Sequence, residues 1–217
     1  MVRFIPQTMK RVIVTGGAGF IGSNTVAKLL ERGDYVICID NFNDYYAPEQ
    51  KEKNIEPYVH VDNFTLYRID IENKEALEKI FIDEKPDHLV HLAARAGVRP
   101  SISDPHLYVQ TNIVATMYLL ELAAKYGLAN NVIASSSSVY GNNPFGPFNE
   151  QFDTSRAISP YAGTKKAVEI LAHTYHHIHQ IPVTCLRFFT VYGPGGRPDM
   201  APYLFTKWID EGTPLRR

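Results

Sequence analysis

Short apolar runs alternate with amphipathic stretches along most of the chain. Runs rich in valine, isoleucine, leucine and phenylalanine predict six strands, over residues 11–15, 35–40, 64–70, 87–92, 131–135 and 182–188. Helical periodicity predicts helices over residues 23–32, 74–84, 105–126, 161–179 and 202–211. This alternation predicts an α/β fold, a doubly wound parallel sheet of the Rossmann type, which binds ligands at the carboxyl ends of its strands.

Three stretches lack such a pattern. Residues 41–63 and 141–158 are the longest of them, and residues 91–101 follow the fourth strand. Proline, asparagine and glycine in the second stretch predict a loop over the ligand-binding edge of the sheet. No internal repeat or low-complexity linker divides the chain.

A glycine-rich turn joins the first strand to the first helix. Gly16, Gly19 and Gly22 follow a G-x-x-G-x-x-G spacing, a variant of the dinucleotide fingerprint, and enclose Phe20 and Ile21. Glycine at the first two positions lets backbone approach a pyrophosphate, and at the third it lets helix and strand pack closely. The helix N-terminus then offers free N–H groups to the phosphates. The motif therefore predicts a cofactor site, although a glycine turn that binds nothing is the alternative.

The second strand ends in an acid, Asp40, 18 residues after Gly22. An acid at this position is placed to hold the adenosine ribose and to repel a 2′-phosphate, so NAD is predicted rather than NADP. An ordinary strand-ending aspartate is the alternative. Four further residues are candidates for the adenosine end of the cofactor site: Asn41, Asn43, Asp70 and Ile71.

Tyr161 and Lys165 lie four residues apart on a predicted helix and share a face. A free tyrosine has a pKa of about 10, and a neighbouring ammonium group favours the phenolate. The pair is therefore predicted to take a proton from an alcohol while hydride leaves the same carbon. A surface tyrosine beside a solvated lysine is the alternative for the spacing alone. The serine run over 135–138 ends the fifth strand and could relay that proton.

Composition narrows the range of partners. The 217 residues carry a net charge of −1, so nothing favours nucleic acid or an anionic membrane. With the first strand starting near residue 10 and no apolar run long enough for a bilayer, no signal peptide or membrane span is predicted. Cys38 and Cys185, each inside a predicted strand, indicate reduced core residues of a cytoplasmic protein. His173 and His177 share a helical face without an evident third ligand, so no metal site is predicted.

These motifs together carry a family resemblance. They are the segments 15–22, 91–94, 135–141, 161–165 and 187–194 together with Asn112. In their order along the chain, they resemble the extended short-chain dehydrogenase/reductase superfamily, in its nucleotide-sugar epimerase/dehydratase branch. The resemblance implies Ser136, Tyr161 and Lys165 as the catalytic residues and Asn112 as an active-site asparagine. It also implies that residues 92–94, Leu92, Ala93 and Ala94, contact NAD.

The subfamily rests on fewer residues. Dehydratases of this branch carry Asp-Glu after the catalytic hydroxyl residue, where this chain has Ser137 and Ser138. Residues 40–46, 94–99 and 187–200 are most similar to UDP-glucuronate 4-epimerases. That resemblance implies epimerisation of UDP-glucuronate to UDP-galacturonate through a transient 4-keto sugar. Hydroxyl and guanidinium donors suit the substrate carboxylate, and the candidates are Ser137, Ser138, Arg95 and Arg187.

Two alternatives stay open, a UDP-glucose 4-epimerase or other nucleotide-sugar epimerase, and an NAD-binding chain without turnover. The resemblance implies that residues 1–193 form the NAD-binding domain and that residues 194–217 begin a substrate-binding domain whose remainder is absent. Apolar surface would then be exposed. It also implies a homodimer that packs through the helices over 105–126 and 160–179.

Overall fold

The computed structural model describes residues 9–144 and 146–214. The predicted domain limits at residues 1 and 217, and residue 145 of the predicted loop, lie outside the described residues. Six parallel strands form one sheet in the order β3-β2-β1-β4-β5-β6. They are β1 Arg11–Thr15, β2 Tyr35–Ile39, β3 Phe64–Tyr67, β4 His88–His91, β5 Asn130–Ser136 and β6 Val183–Phe188.

Helices connect the strands. They are α1 Phe20–Glu31, α2 Pro48–Ile55, α3 Lys74–Glu84, α4 Val98–Ser103, α5 Pro105–Tyr108, α6 Ala115–Tyr126, α7 Pro160–His179 and α8 Ala201–Asp210. A π-helical segment, Val109–Val114, joins α5 to α6, and 3₁₀ turns span Glu56–Tyr58 and Ser137–Tyr140. The doubly wound parallel sheet predicted from the sequence is confirmed.

Two predicted irregular stretches contain helices. Within 41–63, α2 turns only Lys51 and Ile55 inward, which is too few positions to give an apolar period. Within 91–101, α4 begins at Val98 and buries only Ser101. The prediction of unbroken loops there was wrong because both helices are short and face mostly solvent.

Both faces of the central strands are buried, which explains why their sequences are almost continuously apolar. Ile13 and Ile37 pack on one face with residues of α3, α6 and α7. Val12, Val14 and Cys38 pack on the other face, where Val26 of α1 joins them. Each fully buried aliphatic side chain contributes on the order of 1.5–3 kcal/mol through burial.

β6 has one hydrogen-bonded neighbour, β5. Its burial is therefore incomplete, and Cys185 is half-buried whereas Cys38 is fully buried. Both cysteines are free thiols, but the expected core position holds only for Cys38. In the described part of the chain, no helix is both long and apolar enough to span a membrane.

Candidate active site

A cleft of about 660 Å³ opens at the carboxyl ends of the strands. It collects nearly every residue predicted for the cofactor, catalysis and substrate. Those lining it are Gly16, Gly19, Phe20, Ile21, Gly22, Asp40, Asn41, Asn43, Asp70, Ile71, Leu92, Ala93, Ala94, Arg95, Ser136, Ser137, Ser138, Tyr161 and Lys165. Asn112 and Arg187 do not line it. A second cavity of about 720 Å³ runs along β6, away from Tyr161 and Lys165.

The glycine turn has no room for side chains. Gly16 has a φ of +68°, and a Cβ there would lie 2.7 Å from the backbone nitrogen of Ala93. A Cβ on Gly22 would lie 2.0 Å from the carbonyl oxygen of Gly16. Backbone therefore packs closely against backbone at the start of α1, and the three glycines line the cleft without side chains of their own, as a bound pyrophosphate requires.

Asp40 follows β2 and is buried beside this turn. Its Oδ2 accepts the N–H of Ala18 at 3.2 Å, and its Oδ1 accepts the N–H of Phe42 at 2.9 Å. Its Oδ1 also accepts the ammonium of Lys51 at 3.2 Å. The sequence reasoning missed Lys51; the available signal was its position four residues before Ile55, the other inward residue of α2.

Two of the four candidates for the adenosine end of the site, Asn41 and Asp70, bind each other. Asn41 Nδ2 donates to Asp70 Oδ2 at 2.6 Å. The loops that follow β2 and β3 are thereby joined at the rim of the cleft, where parallel strands bring their carboxyl ends together.

Tyr161 lies in the first turn of α7. Ser159 caps this helix by accepting the N–H of Ala162 at 3.1 Å, and the N–H of Tyr161 donates to Ser101 Oγ at 3.1 Å. The Tyr161 ring meets the edge of the Tyr108 ring at a centroid distance of 6.2 Å. The helix cap, the hydrogen bond to Ser101 of α4 and the ring contact together orient the phenol toward the cleft.

The pKa of Tyr161 is raised, contrary to the expectation from its spacing to Lys165. Burial is the largest cause, and it outweighs the hydrogen bond from Ser136 and the charge of Arg197, which both lower the pKa. The Lys165 ammonium instead donates to the carbonyl oxygen of Ala134 at 2.8 Å. Burial lowers the pKa of Lys165 to about 8.

Ser136 ends β5 beside Tyr161. Its hydroxyl lies near enough to the Tyr161 phenol to lower the pKa of that phenol, and it accepts the N–H of Ser138 at 3.1 Å. It also lies 3.1 Å from Ser138 Oγ. The three hydroxyl groups therefore lie close together, as a proton relay requires.

A buried histidine lies near Lys165. His91 Nδ1 lies 2.6 Å from Thr15 Oγ1, and His91 Nε2 lies 2.9 Å from Thr116 Oγ1. Thr116 donates to the carbonyl oxygen of Asn112 at 2.6 Å, so Nε2 of His91 must carry the proton and Nδ1 must accept one. Burial, aided by the charge of Lys165, lowers the pKa of His91 to about 3.

Asn112 is buried, and its side-chain oxygen and nitrogen both have protein partners. Its Oδ1 accepts the N–H of Arg95 at 2.8 Å, and its Nδ2 donates to the Arg95 carbonyl and to Thr164 Oγ1, both at 3.0 Å. Asn112 does not line the cleft, and its predicted contact with substrate stays a prediction. It positions the backbone that carries Arg95 into the cleft.

Arg187 lies outside the cleft. Its Nε donates to Glu169 Oε1 at 2.8 Å and its Nη2 to Glu169 Oε2 at 3.0 Å. Its Nη1 donates to the carbonyl oxygen of Glu150 at 2.9 Å. In this structure a bidentate pair with α7 holds the guanidinium away from the cleft, and the predicted contact with substrate stays a prediction.

Arg197 occupies the cleft instead. Its Nε and Nη2 donate to Asp199 at 3.0 and 2.6 Å, and its Nη2 lies 3.3 Å from the hydroxyl of Tyr45. Arg197 lies within residues 187–200, which carry the resemblance, but it was not among the predicted site residues. Gly195 and Gly196 directly precede it, and they were the available signal of a backbone shaped around a ligand.

Comparisons with known proteins agree with this geometry. A family model described as GDP-mannose 4,6 dehydratase matches residues 13–211. A UDP-glucuronate 4-epimerase of Thermodesulfobacterium geofontis is 45% identical over 94% of this chain and 63% of its own. The structure of a UDP-glucuronic acid 4-epimerase from Bacillus cereus, in complex with UDP-glucuronic acid and NAD, superposes with a TM-score of 0.87 at 40% identity, covering 94% of this chain and 64% of that one.

A UDP-glucose 4-epimerase from Thermus thermophilus, in complex with NAD, has a TM-score of 0.83 at 34% identity, covering 94% of this chain and 64% of that one. The chain spans less than two thirds of the length of each of these relatives. Similarity therefore extends over nearly all of this chain but over only part of each relative.

Proposed function

Because the chain belongs to the family of NAD-dependent nucleotide-sugar epimerases and dehydratases, we propose that it binds NAD and catalyses 4-epimerisation of a UDP-sugar. The proposed reaction converts UDP-glucuronate to UDP-galacturonate. The observation that carries the proposal is the meeting of Ser136, Tyr161 and Lys165 in one cleft with the glycine turn. The Bacillus cereus neighbour, crystallised with UDP-glucuronic acid and NAD, supports the choice of substrate.

The cleft fits a dinucleotide. The glycine turn leaves no side chain between backbone and pyrophosphate, and Asp40 keeps one oxygen with a free lone pair, because Ala18 is the sole donor to Oδ2 among the hydrogen bonds of the described residues. Asp40 would hold the adenosine ribose, and Lys165 the nicotinamide ribose. When bound, NAD⁺ supplies a hydride acceptor that returns its hydride and is regenerated in each cycle.

Tyr161 and Ser136 carry the proton in the proposed reaction. Tyr161 as phenolate takes the proton of the sugar 4-hydroxyl, either directly or through the hydroxyl of Ser136. The sugar then becomes a 4-keto sugar, turns within the cleft and receives hydride on its other face. Tyr161 gives the proton back. Arg197 favours the phenolate through its charge.

Four cleft residues suit a carboxylate at C6 of the sugar. Ser137, Ser138, Arg95 and Arg197 offer hydroxyl and guanidinium donors. Arg197 takes the role expected of Arg187 and would exchange Asp199 for the substrate carboxylate. A dehydratase needs an acid and a base at the positions of Ser137 and Ser138, so elimination is not proposed.

The test is chromatography of UDP-glucuronate after incubation with the protein and NAD⁺, beside a UDP-glucose tube. We expect a UDP-galacturonate peak from the acid alone. Product from UDP-glucose instead would contradict the carboxylate assignment and support the UDP-glucose 4-epimerase alternative, toward which the Thermus thermophilus neighbour points. NAD⁺ binding without product in either tube would support the other alternative, an NAD-binding chain without turnover.

The assembly and compartment of the protein are also proposals. We propose a homodimer through the helices over 105–126 and 160–179, because Val109, Ile170 and Ile178 on them are exposed to solvent. Sedimentation of an Ile170→Glu variant tests it, with a monomer as the expected result.

We propose that the stretch from residue 194 onward begins a substrate-binding unit. The free cysteines suit the reducing cytoplasm.

A further inference from the structure

Lys51 lies buried beside the acid that the proposed function assigns to the adenosine ribose. Its ammonium lies 3.2 Å from Asp40 Oδ1 and 3.3 Å from Asn43 Oδ1, with the ring centre of Tyr46 at 5.5 Å. The side chains of Lys51 and Asp40 are 7% and 4% exposed, and both line the cleft. The ion pair is therefore a built part of the site and is little screened by solvent.

This pair changes the charge that a ligand meets. An aspartate after the second strand rejects a 2′-phosphate through its negative charge, but the adjacent ammonium offsets that charge. Lys51 has three N–H donors, of which two meet Asp40 and Asn43. The third is available to a group that sits against the carboxylate.

Arg68 is a second cation near Asp40, but it is committed elsewhere. It donates to both carboxylate oxygens of Glu52, at 2.7 and 2.8 Å, and stacks on Phe42 at 4.1 Å. It does not line the cleft, whereas Lys51 does. Lys51 alone of these two cations can therefore reach a bound nucleotide.

We propose that Lys51 is a specificity-determining residue of the cofactor site, which lowers the discrimination against NADP⁺ by offsetting Asp40 and offering a donor to a 2′-phosphate. The inference rests on the proposed function, since it presumes that this cleft binds the dinucleotide. Asp40 then opposes NADP⁺ through its charge, and removing that charge should expose a 2′-phosphate site in which Lys51 is already in place.

The experiment is calorimetric titration of NAD⁺ and NADP⁺ into wild type, Asp40→Asn, Lys51→Met and the double variant. Asp40→Asn should bind NADP⁺ about 10- to 100-fold more tightly than wild type, the scale of one nearby charge at an effective dielectric constant of about 20. The double variant should lose that gain. Lys51→Met alone should widen the preference for NAD⁺.

Two control variants accompany these titrations. Lys51→Arg keeps the charge and should retain NADP⁺ binding, which covers the case in which Lys51→Met misfolds around an unpaired Asp40. Arg68→Gln removes a cation near Asp40 but outside the cleft, and its ratio of NADP⁺ to NAD⁺ affinity should match that of wild type.

The outcomes separate the inference from the proposed function. If Asp40→Asn and the double variant bind NADP⁺ with equal affinity while NAD⁺ binding is intact, the inference about Lys51 is overturned and the proposed function is not. Failure of folded wild-type protein to bind NAD⁺ would overturn both. A gain in Asp40→Asn that disappears with Lys51 supports the inference.

Discussion

The two sides of the cleft are built differently. On the cofactor side, Asp40, Lys51, His91 and Lys165 are buried, and each has a hydrogen-bond partner from another element. On the other side, the stretch after β6 leaves Tyr192 78% exposed, and α8 buries none of its residues. Groups on the first side are held by tertiary packing, whereas Arg197 on the second side pairs with Asp199, two residues away, and has Tyr45 as its distant partner.

The difference follows from sheet position. β1 and β4 have strands on both sides and helices on both faces, while β6 has one neighbour. Elements with few buried apolar contacts open locally at lower free energy. The described chain thus has a rigid cofactor side and a loosely held side that consists of the stretch after β6 and α8. The second is called the sugar side, after the substrate proposed for it.

The largest expected effect is on turnover, at the border between the two sides. Tyr161→Phe should reduce the epimerisation rate by roughly 10²–10⁴, the scale for loss of an acid–base group. NAD⁺ binding should persist, because the glycine turn and Asp40 are untouched. Tyr192→Phe is the matched control on the exposed side and should leave the rate unchanged. Near-normal turnover by Tyr161→Phe would remove the phenol from the mechanism.

The second effect is on acid stability of the cofactor side. The pKa of His91 is lowered from 6.5 to about 3 in the folded chain. Between those pH values the unfolded chain takes up a proton that the folded chain does not, so stability is complete above pH 6.5 and falls as the pH drops toward 3. Over this range the free energy of unfolding should fall by about 4 kcal/mol.

Chemical denaturation at stepped pH measures this loss. His91→Asn should flatten the acid limb, since it removes the titrating group while keeping a donor and an acceptor. His173→Asn, on the exposed face of α7, should keep the wild-type slope. An acid limb that survives in His91→Asn would mean that another group controls it.

The third effect tests close backbone packing. Gly22→Ala places a methyl group 2.0 Å from the Gly16 carbonyl oxygen, so the turn must shift. We expect a stability loss of about 1–3 kcal/mol, typical of overpacking, together with weakened NAD⁺ binding. Gly163→Ala is the control, because nothing lies within 4 Å of its added Cβ. In α7 it should stabilise by about 0.5–1 kcal/mol. Equal melting temperatures would contradict the packing argument.

The same contrast explains which parts of the fold were predictable. β1 and β2 were found because burial on both faces makes them continuously apolar, and α3 because its period is regular and Asn73 caps it. α2 was missed because one of its two inward residues is Lys51. A buried lysine is explained only by its tertiary partner Asp40, which a period count does not show.

The candidate site divides in the same way. The sequence predicts Gly16, Tyr161 and Lys165 together because their chemistry needs a fixed local spacing, and the structure places all three in one cleft. The position of Arg187 outside that cleft was not predicted, because its partner Glu169 lies 18 residues away on another element. The raised pKa of Tyr161 was also missed, since burial is a property of the folded chain and overrides the spacing to Lys165.

The smallest expected effect lies on the sugar side, where Ile209 of α8 is 68% exposed. Ile209→Ala should change the free energy of unfolding by no more than about 0.5 kcal/mol, as for most surface positions. Leu119→Ala, in the fully buried core, should cost about 2–5 kcal/mol. Urea titration of both variants at two protein concentrations measures the two losses in free energy of unfolding. A loss above about 1 kcal/mol for Ile209→Ala that grows with concentration would show that α8 packs against a second copy, and the loosely held side would then be loose only in the isolated chain.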